Sequence, residues 1–79
     1  MEQIFKSKLL ERMKKQVRGE INIHIINDKL VVDIDKGYLC YRYTIDNILS
    51  KIVRGLSTKE LSTRIVESYR KWVLSNYFY

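Results

Sequence analysis

Phe5, Leu9, Met13 and Val17 are spaced four residues apart, and with Leu10 beside them they trace one stripe at 100° per residue. The stripe predicts an amphipathic helix from Glu2 to Arg18, with Gly19 where a left-handed C-cap belongs. After Gly19 the period changes to two. Ile21, Ile23 and Ile25 alternate with Asn22, His24 and Ile26, Asn27-Asp28 offers a tight turn, and Leu30, Val32 and Ile34 carry the apolar face back. A second turn is expected at Lys36-Gly37, followed by Leu39, Tyr41, Tyr43 and Ile45. That turn would pair Ile34 with Leu39, Val32 with Tyr41 and Leu30 with Tyr43, so that every inward residue meets an inward partner.

The last third returns to a helical period. Asp46 is the expected N-cap of a short helix that buries Ile48, Leu49, Ile52 and Val53 and stops at Gly55. Ser57-Thr58-Lys59-Glu60 is a capping box, and Leu56 with Leu61 supplies the hydrophobic staple around it, so a third helix begins at Thr58. Leu61, Ile65, Val66, Tyr69, Trp72, Val73 and Tyr77 share one arc, and no proline or glycine interrupts the run towards Tyr79. The pattern describes one α+β domain over residues 1–79, in the order α-β-β-β-α-α. A three-stranded antiparallel meander is covered on one face by the first and third helices, with the second bridging and Tyr41 and Trp72 in the core.

Composition narrows the chemistry. A chain of 79 residues buries only about 60–65% of its unfolded surface, too little for a deep substrate cleft. One cysteine excludes an internal disulfide, and with one histidine it leaves too few soft ligands for structural zinc. No apolar run reaches the roughly 20 residues of a membrane span, and MEQIFKSKLLERMKK alternates charge with bulk, unlike a signal sequence, so a cytoplasmic protein with no membrane partner is expected.

Carboxylates cluster only in DIDKGYLCYRYTID, Asp33 to Asp46. An EF-hand loop starting at Asp33 needs glycine sixth and glutamate twelfth, whereas Gly37 is fifth and Thr44 twelfth. The acids therefore read as the outer face of a hairpin, with Asp33 met diagonally by Arg42, and no metal or cofactor is expected. His24 and Cys40 share that face, but no orienting group or oxyanion donor accompanies them, which argues against an enzyme.

Fifteen Lys and Arg against nine Asp and Glu give a net charge of +6, which favours polyanionic partners. On the third helix the basic residues have helical partners, Glu60 with Arg64 and Glu67 with Arg70 and Lys71. The uncompensated charge falls on the first helix, at Lys8, Arg12, Lys14, Lys15 and Arg18, interrupted only by Glu11. This surface reads either as a solvated face or as the docking site for a polyanion or an acidic protein. Tyr38 and Arg42 are weaker contact candidates, because Arg and Tyr are common interface anchors. Leu74 and Phe78, one turn apart on the polar side of the third helix, mark a possible dimer contact, so the chain is read as a monomer or a homodimer.

Two segments resemble known families. Gly55, Leu56, Ser57, Lys59, Glu60, Leu61 and Arg64 match the GLS-x-KE-[IL] turn of the LuxR-type helix-turn-helix, and Ser68 and Arg70 fall where that family begins its recognition helix. That resemblance implies a DNA-binding transcriptional regulator and requires a helix break before Ser68, where the sequence supplies none. The Tyr-rich YRYTIDNI strand, the glycine-serine turn and a helix closing on YFY resemble small phage and prophage proteins of Gram-positive bacteria, and the element order is similar to that of some type II anti-CRISPR proteins. This second resemblance implies a non-catalytic accessory factor that binds and inhibits a host ribonucleoprotein or protein complex, such as a Cas9-type effector. Many such inhibitors that mimic DNA are acidic, and this chain is basic. Direct DNA or RNA binding is the alternative. Double-stranded RNA modules share the α-β-β-β-α order, but their basic cluster at the start of the closing helix is reduced here to Lys59.

Overall fold

The fold is given by a computed structural model that describes residues 2–37 and 39–77. The elements are α1 (Glu2–Lys14), β1 (Glu20–Ile26), β2 (Lys29–Lys36), β3 (Leu39–Asp46), α2 (Ile48–Val53) and α3 (Thr58–Tyr77). The strands form one antiparallel sheet in the order β1-β2-β3. The α+β meander and its element order thus stand as the periodicities predict.

The inward face of the sheet carries Ile21 and Ile23 from β1, Leu30, Val32 and Ile34 from β2, and Tyr41 from β3. Against it lie Phe5, Leu9, Met13 and Val17 from the N-terminal segment and Leu61, Ile65, Val66 and Tyr69 from α3. Tyr41, Tyr69 and Trp72 form an aromatic triad with ring centroids 5.3–6.2 Å apart. Trp72 is only partly buried at its edge. Among the described residues, no helix is long and apolar enough to cross a membrane.

Several local details differ from the sequence reading. β2 runs on through Lys36, which pairs with Leu39, so Ile34 meets Tyr41, Val32 meets Tyr43 and Leu30 meets Ile45. The ladder is two residues out from the expected register. A shift of two preserves which side chains face inward. The observed register also sets Asp33 directly opposite Arg42 and Lys29 opposite Asp46, two opposite-charge pairs that the expected turn would have separated.

α1 ends at Lys14, with Val17 N–H and Gln16 N–H both donating to the Met13 carbonyl at 2.9 and 3.0 Å. Arg18 is therefore not on the helix and Gly19 is not its cap. Gly19, at φ 135°, is needed for close approach, because a Cβ there would lie 2.7 Å from the Asp35 carbonyl oxygen. Gly19→Ala is expected to destabilise the fold by at least about 1–3 kcal/mol through backbone strain. Thermal denaturation checks this, and an unchanged Tm would refute it.

Asp46 does not cap α2. The N-cap is Asn47, at φ 56° and without a side-chain cap bond. Asp28, in the β1–β2 turn, takes over the role: its carboxylate accepts from Leu49 N–H at 2.8 Å and its carbonyl from Ile48 N–H at 3.1 Å. α2 also buries less than expected. Ile48 is buried and Ile52 partly so, whereas Leu49 and Val53 are 41% and 75% exposed. Six residues anchored at one end bury only the row that faces inward. Gly55 does end α2, in a Schellman arrangement with Leu56 N–H on the Lys51 carbonyl and Gly55 N–H on the Ile52 carbonyl.

Candidate functional site

Among the described residues, a concave surface follows the seam between α1 and the first turns of α3. The Ser57 hydroxyl accepts from Glu60 N–H at 3.3 Å, and the Ser57 carbonyl accepts the first helical bond from Leu61 N–H. This capping fixes where α3 starts. Thr58, its first residue, accepts a hydrogen bond from Arg12 Nε at 3.1 Å, which ties the middle of α1 to the start of α3.

A trench runs from this tie in both directions. At one end Ile4, Phe5, Ile52 and Leu56 line a 270 Å³ hollow with Lys8 and Thr58 at its rim. Lys8, Arg12 and Lys15 continue the α1 wall, and Lys59, Ser62 and Thr63 form the α3 side beyond Thr58. Consecutive hollows share lining residues, Lys8 and Thr58 first, then Arg12 and Lys15. Four cations, Lys8, Arg12, Lys15 and Lys59, line them against one carboxylate, Glu11. Arg64 and Glu60 line a separate hollow formed by α3 and Ser57 without any α1 residue.

This arrangement divides the basic residues predicted from sequence. Lys8, Arg12 and Lys15 come together at spacings of four and three, one face of a helix carried into the turn that follows it. Lys14 is exposed and lines no part of the trench, and Arg18 lies beyond the helix end. Lys59 is a member that the sequence reading does not place with them. The helical pairs expected on α3, Glu60 with Arg64 and Glu67 with Arg70 or Lys71, make no ion pair within 4 Å among the described residues.

The outer face of the sheet is separate. Arg42 Nε and Nη2 donate to the two Asp33 carboxylate oxygens at 2.8 and 3.3 Å, directly across the ladder and not diagonally. The hydrogen bond to Asp33, with its charge, moves the Arg42 guanidinium still further above its ordinary pKa. Both its carboxylate-facing donors are thereby occupied, which weakens its candidacy as an anchor. Tyr38 and Phe78 lie outside the described residues, and Leu74 is exposed on α3.

His24 and Cys40 are not brought together. Cys40 sits in the row Glu20–Asp35–Cys40 and His24 in the row His24–Val31–Thr44, four residues further along and two strands across, so on the order of 13 Å separates them along the strands alone. Hydrogen bonding to Asp35, then partial desolvation and the charges of Asp35 and Asp33, raise the Cys40 thiol above its ordinary pKa of 9.0, opposed by Arg42. A raised thiol pKa leaves little thiolate at neutral pH, the reverse of an activated nucleophile. Alkylation by iodoacetamide is therefore expected to be slow at pH 7 and still accelerating at pH 9, with Asp35→Asn shifting the midpoint downward. A rate already at its plateau at pH 8 would contradict this. Among the described residues, no group of three or more His, Cys, Asp or Glu is placed to hold a metal ion.

α3 continues without a break through Ser68, whose hydroxyl bonds to that of Tyr41. The Ile48–Trp72 segment therefore lacks the break before Ser68 that would start a separate recognition helix. No family model matches the chain, and neither a curated protein nor a solved structure does.

Proposed function

We propose that this chain is a non-catalytic binding protein that acts stoichiometrically, docking the α1–α3 trench on an anionic surface of a larger partner. The observation that carries this reading is the convergence of Lys8, Arg12, Lys15 and Lys59 on one concave seam, with Arg12 already held by Thr58. An arginine fixed through Nε retains its terminal nitrogens for a carboxylate or phosphate and has less conformational freedom to lose on binding. The resemblance to small phage and prophage proteins supplies the biological setting: a host nucleic-acid machine in the bacterial cytoplasm, with a type II CRISPR effector nuclease as its first candidate. A molecule of this size inhibits by occupying one surface of such a machine.

Affinity pull-down from host lysate, with and without nuclease treatment, tests the proposal. Recovery of a defined complex that survives nuclease and is lost with Arg12→Glu/Lys15→Glu is the expected result. Recovery of nucleic acid alone would favour the second reading, direct DNA or RNA binding, for which the same four cations are the supporting observation. Full retention of the partner by the charge-reversed variant would reject the trench as the site.

A further inference from the structure

The trench has two chemistries along its length. One end is a hollow walled by Ile4, Phe5, Ile52 and Leu56, and the other is lined by cations. Ile4 on its α1 side is 61% exposed, and Val53, adjacent to Ile52 on α2, is 75% exposed. Ile4 therefore offers apolar surface at the mouth of the hollow that a partner side chain could cover.

We infer that the trench takes an acidic amphipathic segment of a partner protein, one bulky apolar side chain entering the Ile4–Phe5–Ile52–Leu56 hollow and carboxylates following along Lys8, Arg12, Lys15 and Lys59. This deepens the docking function proposed above and depends on it. Charge and shape select this occupant. The apolar hollow, at 270 Å³, has room for a bulky side chain and opens directly onto the cations beyond Lys8. A nucleic acid would bring phosphates to the cations but nothing apolar to the hollow. Base stacking needs an open aromatic face, and the one ring lining the trench, Phe5, is buried. A bilayer is flat, whereas this surface is a channel between two helices. Ile4 and Lys15 are about 16 Å apart at helical rise, the reach of a peptide helix of about 12 residues, and helix-in-groove recognition reads its anchors at that spacing.

The test uses fluorescence anisotropy with three labelled probes. The first is a 14-residue peptide with a Phe-Leu pair near one end and Glu at every third or fourth position after it. The second is the same peptide with the pair replaced by Ser, and the third is a 16-nucleotide oligo-dT. The first probe is expected to bind at least about tenfold more tightly than the second. Arg12→Glu/Lys15→Glu should abolish its binding, and Ile4→Ser should weaken it to the level of the second probe. Ile4 is exposed, so circular dichroism should show the Ile4→Ser fold unchanged. Equal binding of both peptides, or oligo-dT binding that depends on Arg12 and Lys15 but not on Ile4, would overturn the inference while leaving the docking reading intact. Self-association in light scattering that Ile4→Ser abolishes would assign the hollow to a second copy and also overturn it. Failure of all three probes, together with an empty pull-down, would reject both.

Discussion

Tyr41→Ala is expected to remove about 3–5 kcal/mol of stability, the range for truncating a buried aromatic. For 79 residues the whole free energy of folding is about 4–12 kcal/mol, so much of the population would be unfolded at 37 °C. Tyr41 is the hub of the triad. Its ring lies 5.7 Å from Tyr69 and 5.3 Å from Trp72, and its hydroxyl is bonded to Ser68, so it joins β3 to two turns of α3. Tyr41→Phe keeps the ring and loses only the hydroxyl contact, a cost of about 1 kcal/mol. Trp72→Ala should fall between the two. The sequence placed Trp72 in the core beside Tyr41, but it is partly exposed and surrenders less buried area. Urea unfolding followed by far-UV circular dichroism orders the three variants by midpoint. A Tyr41→Ala midpoint equal to that of Tyr41→Phe would mean that the triad contributes nothing beyond its hydroxyl.

What was legible in the sequence was local. The Ser57 cap on Glu60 N–H, the Gly55 stop and the Asn27-Asp28 turn each depend on residues within four positions of one another, and each stands in the structure, Asn27 and Asp28 at φ 52° and 58°. Contacts between segments distant in sequence were not legible. α1 stops at Lys14 because the chain must descend so that Val17 packs on the core and Gly19 passes the Asp35 carbonyl, which no stripe of apolar residues reveals. α2 is capped by Asp28, twenty-one residues before Leu49. Spacing alone therefore credited Asp46, which is instead paired with Lys29 at 3.5 Å.

The site divides in the same way. Lys8, Arg12 and Lys15 could be read as one helical face, but Lys59 joins them where α3 packs beside α1, at an Arg12–Thr58 bond that spans forty-six positions. Spacing along one helix does not show which residue of another helix will lie beside it. α2 shows the opposite error. Leu49 and Val53 satisfy a helical burial pattern in a helix too short to bury two rows.

This division of the basic residues gives the prediction with the largest effect on binding. Arg12→Glu/Lys15→Glu and Lys14→Glu/Arg18→Glu each lower the net charge from +6 by four. If the protein attracted polyanions by net charge alone, the two doubles would weaken binding equally. With the trench as the contact surface they should differ widely. Arg12 and Lys15 lie where an anion would sit, and a carboxylate placed there faces it at contact distance, where like-charge juxtaposition costs several kcal/mol, roughly 100-fold or more in affinity. Lys14 and Arg18 lie outside the trench, so their reversal acts only through the long-range field, which a Debye length of about 8 Å at physiological salt screens. Binding to heparin, a structureless polyanion, measured from 50 to 300 mM salt, separates the cases without knowledge of the partner. The parent and Lys14→Glu/Arg18→Glu should show similar slopes of log affinity against log salt, since counterion release counts the anions neutralised at the contact. Arg12→Glu/Lys15→Glu should show a shallower slope and elute at the lowest salt. Equal slopes and equal elution for the two doubles would mean that the convergence of cations on the α1–α3 seam has no role in binding.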